Sequence, residues 1–237
     1  MGFIHRRTSK QTSKVKTLLG LALSRLAAAR RPRLARKSIS CSDVGQLLAL
    51  GHLDRALHRA EQLIEEDNML EAFDIIELYC NRLIEHAKQL DKPHECGVDI
   101  REAAAGIMFA AGRCSDLPEL LFARTILANK FGGDFAMMAK EGTGIVDPML
   151  VWKLSGNKRN MEMKKMVVKE IAAENNVLLD FSEFQKWLSW MAAATFRTIT
   201  SSTTKLYTKL TWMKVQTETK EHENFSAHKK VNLQSIQ

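Results

Sequence analysis

The chain has 237 residues, 45 % of them hydrophobic, with 4 Pro and 12 Gly. That much apolar content excludes a wholly disordered polymer, and so few breakers favour long helices over many short strands. The net charge of +8 is unevenly placed. Before Asp43 stand Arg6, Arg7, Lys10, Lys14, Lys16, Arg25, Arg30, Arg31, Arg33, Arg36 and Lys37 with no acidic residue, and the rest of the chain is net acidic. A basic arm of this kind suits a polyanion such as an anionic membrane surface, a nucleic acid or an import receptor.

Lys14 to Arg31 is expected to be helical, because Val15, Leu19, Ala22 and Leu26 recur at i, i+4, i+7 and i+11. Pro32 lacks an amide donor and crowds the preceding turn, so a kink or break is expected there. Ser40-Cys41-Ser42-Asp43 reads as a capping box that restarts a helix, which ends at Gly51. From Asp54 to about Leu90, apolar residues fall at Ala56, Ala60, Leu63, Leu70, Phe73, Ile76, Cys80, Leu83 and Ala87, in steps of threes and fours with Asp67 as the polar interruption. Only Gly51-His52-Leu53 separates the two helices, so they should lie antiparallel, basic against acidic.

Three further helix starts carry an aspartate at the expected cap. Asp99 with Glu102 opens a third helix that runs to Gly112. Asp116, followed by Pro118 and Glu119, opens a fourth from Leu117 to Phe131. Asp147, followed by Pro148, opens Met149 to Leu154. A short helix follows Asp134, and Met161 to Asn175 is amphipathic through Met163, Met166, Val167 and Ile171. Residues 181–237 are read as a mostly disordered tail with one amphipathic stretch at Phe184, Trp187, Leu188 and Met191. The expected organisation is a helical domain over 1–180 with a basic N-terminal arm, then a flexible tail.

No catalytic, cofactor or metal site is read from the residues. Cys114-Ser115 has no histidine nearby in sequence to activate it. Cys41, Cys80, Cys96 and Cys114 form no C-x-x-C pair, Gly142-Thr143-Gly144 lacks the rest of a phosphate loop, and His94-Glu95-Cys96 is not a zinc-protease motif. The apolar run Leu18–Leu23 is too short for a signal core and is followed by Arg25, and no stretch approaches the ~18 apolar residues of a membrane span. The cysteines are expected to be reduced, as in the cytosol. The arm carries only Phe3 as an aromatic, so it lacks the stacking platform of a single-strand binder, and no nucleic-acid partner is expected.

Three strings read together carry a resemblance: Glu65-Glu66-Asp67-Asn68-Met69-Leu70-Glu71-Ala72-Phe73 continuing to Glu77-Leu78-Tyr79-Cys80; the Cys114-Ser115-Asp116-Leu117-Pro118-Glu119-Leu120 string within Ala110–Leu120; and Lys169-Glu170-Ile171-Ala172-Ala173-Glu174-Asn175. In order and spacing they resemble the increased-sodium-tolerance family, ESCRT-III-related regulators of the vacuolar-sorting AAA ATPase, in the style of its plant branch. The resemblance runs from about Lys14 to Val177. It implies an all-α, ESCRT-III-like core with a long antiparallel hairpin and shorter helices packed against it. It implies a cytoplasmic protein, peripheral on endosomal membranes, that binds ESCRT-III subunits and modulates the ATPase in multivesicular-body sorting. It brings no catalytic residue. Two departures stand out. Pro32 interrupts a helix that members keep long, and the leucine-spaced motif by which members bind the ATPase is not found between Asp180 and Gln237.

On this reading Lys14, Lys16, Arg30, Arg31, Arg33, Arg36 and Lys37 are the residues expected to hold an acidic membrane. The competing readings are a mitochondrial precursor, prompted by the acid-free, Arg- and Ser-rich start, and a helical nucleic-acid binder, prompted by the pI of 9.4.

Overall fold

Ser9 opens the first helix. Its backbone is extended and its Oγ accepts the amide of Thr12 at 3.2 Å, an N-cap for α1 (Lys10–Ala49). The computed structural model describes residues 8–155 and 161–179. The chain divides after Leu179; every described element belongs to the first unit, and the expected tail, with Phe184, Trp187, Leu188 and Met191, lies outside the described residues.

The expected break at Pro32 does not occur: α1 is continuous for 40 residues with Pro32 inside it. Ser40-Cys41-Ser42-Asp43 therefore caps nothing; Ser40 is buried within the helix and Asp43 pairs with Arg59 at 2.6 Å. An interior proline costs about 3 kcal/mol, chiefly through the amide bond it denies the carbonyl four residues back. Here that carbonyl belongs to Ala28, and both Ala28 and Pro32 are exposed, so water can meet it. Packing on both sides offsets the remainder: Val15, Leu19, Ala22 and Leu26 are buried before Pro32, and Val44 and Leu48 after it. Pro32→Ala is accordingly expected to stabilise the protein. Restoring the bond outweighs the ~0.4–1 kcal/mol lost when the unfolded chain is freed, leaving about 1–2 kcal/mol, or several degrees in Tm. A thermal melt checks it; an unchanged or lower Tm would mean that Pro32 makes a stabilising contribution beyond its fixed φ.

Gly51 ends α1 as expected, in a Schellman motif. At φ +76° its amide donates to Leu48 O at 3.0 Å, and that of His52 donates to Leu47 O at 2.8 Å. The chain reverses into α2 (Leu53–Glu85), antiparallel to α1. All nine apolar positions read from the sequence between Ala56 and Ala87 are buried, and Asp67, the polar interruption, pairs with Lys37. The helix stops at Glu85 and not near Leu90. Two 3₁₀ turns, Ala87–Asp91 and Pro93–Glu95, carry Ala87 and Leu90 into the core. The apolar rhythm survives this change of helix type, which is why the two segments read as one.

Next come α3 (Val98–Ala110) and α4 (Glu119–Phe131). The former is buried on all sides from Ala103 to Ala110, as a helix enclosed by neighbours must be. Its cap is Gly97; Asp99 sits in the first turn without a capping bond, and Glu102 accepts the Tyr79 hydroxyl at 2.7 Å instead of reaching back. Then follow α5 (Gly133–Glu141), α6 (Pro148–Leu154) and α7 (Met161–Glu174). Asp147 caps α6, accepting from the Met149 amide at 2.8 Å. The buried stripe of α7 is Lys164, Val168, Ile171 and Ala172, so Met166, expected inside, is exposed. The stripe is rotated because Lys164 lays its stem across the core edge and ties its ammonium to Glu61 at 2.7 Å. Asn176 ends α7 at φ +54°, with the Val177 amide donating to Ala172 O at 2.8 Å.

The described residues are thus an all-helical assembly. The α1–α2 hairpin is its spine; α3 packs on α2, α4 on α1 and α3, and α5 and α6 follow on α3 and α2. α7 lies against both arms of the hairpin.

Candidate functional site

The hairpin sets what α1 can offer to a partner. Its arginines are spaced so that several meet the acidic rows of the neighbouring helices. Arg25 Nε donates to Glu119 Oε1 at 2.7 Å, and Arg30 spans Asp74 at 2.7 Å and Glu77 at 2.6 Å. Arg36 pairs with Glu66 at 2.5 Å, and Lys37 with Asp67. Each such half-exposed pair contributes only ~0–1 kcal/mol; those of Arg30, Arg36 and Lys37 join α1 to α2, and that of Arg25 joins α1 to α4.

Arg33 is the node. Its side chain is 14 % exposed. It donates to Glu66 at 2.9 Å and to Asp116 at 3.0 Å through Nε, and its guanidinium stands 5.4 Å from the centre of the Phe73 ring. The expected role of Asp116 is thereby overturned. The cap of α4 is Pro118, without a side-chain bond, while Asp116 receives Arg33 and Glu119 receives Arg25. A carboxylate at a helix start can serve the local amides or a distant cation; here two arginines of α1 offer stronger, charge-assisted partners. Cys114, in the same turn, is buried, and burial pushes its thiol up to about 12, as it does that of Cys80. A thiol so raised stays protonated at neutral pH, and the turn acts as a clamp between α1 and α4.

Of the seven basic residues expected to hold a membrane, Arg30, Arg33, Arg36 and Lys37 are therefore turned to carboxylates of the fold. Lys14, Lys16 and Arg31 are exposed with no ion-pair partner among the described residues. Lys14, Thr17, Leu21, Ala28, Arg31 and Ala35 lie on the side of α1 away from α2, and Leu21 is 53 % exposed there.

A second feature was not read from the sequence. Beside the C-terminal half of α1 runs an open groove of about 760 Å³, floored by Leu34, Cys41, Gly45 and Ala49 and closed at one side by Asn175. Its origin is a run of small residues: Ser38, Cys41, Ser42, Gly45 and Ala49 recur in steps of three and four, and a Cβ on Gly45 would come within 3.3 Å of Asn175 Nδ2. The signal was present as that spacing, but nothing local indicates which neighbour would leave the face uncovered. Among the described residues no group of histidine, cysteine and carboxylate side chains is arranged to hold a metal ion, and no helix is long and apolar enough to cross a membrane.

Comparison with known proteins agrees with this architecture. The model of the Ist1 family, described as regulator of Vps4 activity in the MVB pathway, matches residues 16–178. The chain is 28 % identical over 187 residues to vacuolar protein sorting-associated protein IST1 of Saccharomyces cerevisiae, covering 75 % of this chain and 62 % of that protein. It is 25 % identical over 170 residues to the IST1-like protein of Dictyostelium discoideum, covering 71 % of this chain and 46 % of that one. It thus spans less than two thirds of the length of these curated relatives. Among solved structures, the N-terminal domain of S. cerevisiae Ist1, crystallised in complex with the Did2 MIM motif, superposes with a TM-score of 0.61 at 27 % identity, covering 73 % of this chain and 96 % of that one.

Proposed function

The chain belongs to the Ist1 family, and from that premise we propose that it is a non-enzymatic regulator of ESCRT-III assembly in multivesicular-body sorting, working in the cytoplasm at endosomal membranes. The observation that carries the reading is the extent of the family match, which takes in all seven described helices except the first turns of α1. The yeast domain that superposes on this one was crystallised with a MIM motif. By analogy, this chain receives a short segment of an ESCRT-III subunit, and the groove beside the C-terminal half of α1 is the surface we assign to it.

The effect on the vacuolar-sorting ATPase is assigned to pass through that subunit, as the MIM complex of the yeast domain suggests. Rates of ATP hydrolysis by the ATPase, measured with rising amounts of the full chain, test this. At least a twofold change is expected when an ESCRT-III subunit is present and little without it. No change in either case contradicts the proposal.

Membrane attachment is assigned to the exposed basic residues of α1 that meet no carboxylate among the described residues. Each Lys or Arg near an anionic surface contributes about 1 kcal/mol, so Lys14, Lys16 and Arg31 together give roughly 3 kcal/mol, a peripheral and salt-reversible hold. In liposome sedimentation, Lys14, Lys16 and Arg31 changed together to Ser should lose most binding to anionic vesicles. Equal binding by both proteins would remove the membrane role from these residues.

A further inference from the structure

At the other end of α1 a polar cluster joins three elements distant in sequence. The Ser9 amide donates to Asp91 Oδ2 at 2.9 Å, while the Ser9 hydroxyl and that of Thr12 donate to Asp91 Oδ1 at 2.5 and 2.6 Å. Lys130, at the end of α4 and 9 % exposed, donates to the same Oδ1 at 3.1 Å and to Leu90 O at 3.2 Å, and reaches within 3.4 Å of Ser9 Oγ. One carboxylate thus fastens the start of α1 to the 3₁₀ turn and to α4. Although burial opposes it, these donors hold the Asp91 carboxyl well below the usual carboxylate range.

Thr12 is fully buried, but Ser9 is exposed, at an extended backbone position before the helix. The sequence around it reads Arg6-Arg7-Thr8-Ser9-Lys10. Two arginines three and two residues before a serine present fork-shaped cations to an acidic peptide groove.

We propose that Ser9 is a phosphorylation site for a basic-directed serine kinase and that its modification opens this clamp. Ser9 Oγ attacks the γ-phosphorus of ATP. The Oγ–P bond forms as the bond to the bridging oxygen of ADP breaks, ADP leaves, and the hydroxyl proton passes to the kinase's carboxylate base. The ester can no longer donate to Asp91. It also places a charge of about −2 at pH 7 beside the Asp91 carboxylate, with the single cation of Lys130 to serve both. Asp91 is driven off, the Ser9 amide and Thr12 hydroxyl lose their acceptor, and the first turns of α1 loosen. These turns lead directly to Lys14 and Lys16, both assigned above to membrane attachment, so the device would regulate that attachment while resting on different residues.

The test incubates the full chain with the catalytic subunit of a cyclic-nucleotide-dependent kinase and magnesium ATP, followed by fragment mass spectrometry. Phosphate is expected on Ser9, with Arg6→Ala/Arg7→Ala at least tenfold slower. Hydrogen exchange of the amides of residues 12–16 should then accelerate at least tenfold in the phosphorylated chain. It should accelerate less in unmodified Ser9→Ala, and less again on phosphorylating Asp91→Asn, while amides in the middle of α2 stay unchanged. Phosphate only elsewhere, a rate indifferent to Arg6 and Arg7, unaltered exchange, or Ser9→Ala matching the phosphorylated chain would each overturn the proposal.

Discussion

Leu83→Asp is expected to abolish stable folding at ordinary temperatures. Leu83 is 0 % exposed and belongs to the same buried cluster as Phe73, Ile76, Tyr79 and Phe109. Removing the leucine forfeits about 2–3 kcal/mol of apolar burial. The carboxylate that replaces it must either ionise without a partner or bind a proton at a pH where it would otherwise be charged, a further cost of several kcal/mol. The sum is a large part of the ~5–15 kcal/mol that holds a domain of this size together. Leu83→Met, which conserves volume, should cost less than about 1.5 kcal/mol. Urea titration followed by circular dichroism separates the two. A Leu83→Asp protein with a midpoint near that of wild type would mean that the inner side of α2 is misassigned.

The second large effect concerns a methyl group. Glycine in a helix interior ordinarily costs about 1 kcal/mol relative to alanine, so Gly106→Ala on an open helix would stabilise. In α3 it is expected to do the reverse. A Cβ on Gly106 would lie 2.3 Å from Cε2 and 2.6 Å from Cδ2 of Tyr79, and 3.3 Å from Leu150 Cδ2. The Tyr79 ring has little freedom to yield, because its hydroxyl donates to Glu102 at 2.7 Å and faces Asp147 at 3.3 Å. Burial, with these two carboxylates, also pushes its phenol upward, so it remains a donor throughout the neutral range. Overpacking of this kind costs about 1–3 kcal/mol, which should lower Tm by several degrees. Tyr79→Leu in the Gly106→Ala background should recover part of the loss. If Gly106→Ala melts higher than wild type, the close approach of α3 to α2 is not what requires the glycine.

What was legible in the sequence follows from the range of the forces involved. The hairpin could be read because its cause is periodic and local: threes and fours from Ala56 to Leu83, and a glycine at Gly51 that can take a positive φ. Asp147 could be read because the amide it serves is two residues away. Asp116 could not. Its partner Arg33 lies 83 positions earlier, and only the folded hairpin brings the two together. Pro32 misled for the same reason, since a local penalty of about 3 kcal/mol is outweighed by packing on both sides that no local window contains.

The candidate site was legible in composition and obscure in detail. Counting charges located the basic helix. It could not separate Arg30, Arg33, Arg36 and Lys37, which face carboxylates, from Lys14, Lys16 and Arg31, which face solvent. The groove was hidden more deeply, because a row of small residues is defined by what fails to cover it.

The proposed role of this helical unit is to receive a short ESCRT-III segment in the groove between α1 and Asn175. Fluorescence polarisation of a labelled MIM peptide from an ESCRT-III subunit, titrated with the full chain and with Ser42→Trp, tests it most directly. Ser42 is exposed at the groove edge, so an indole there should fill the space without disturbing the core. Saturable binding to wild type and at least tenfold weaker binding to Ser42→Trp at unchanged Tm are expected. No binding to wild type, or equal binding to both proteins, would contradict it.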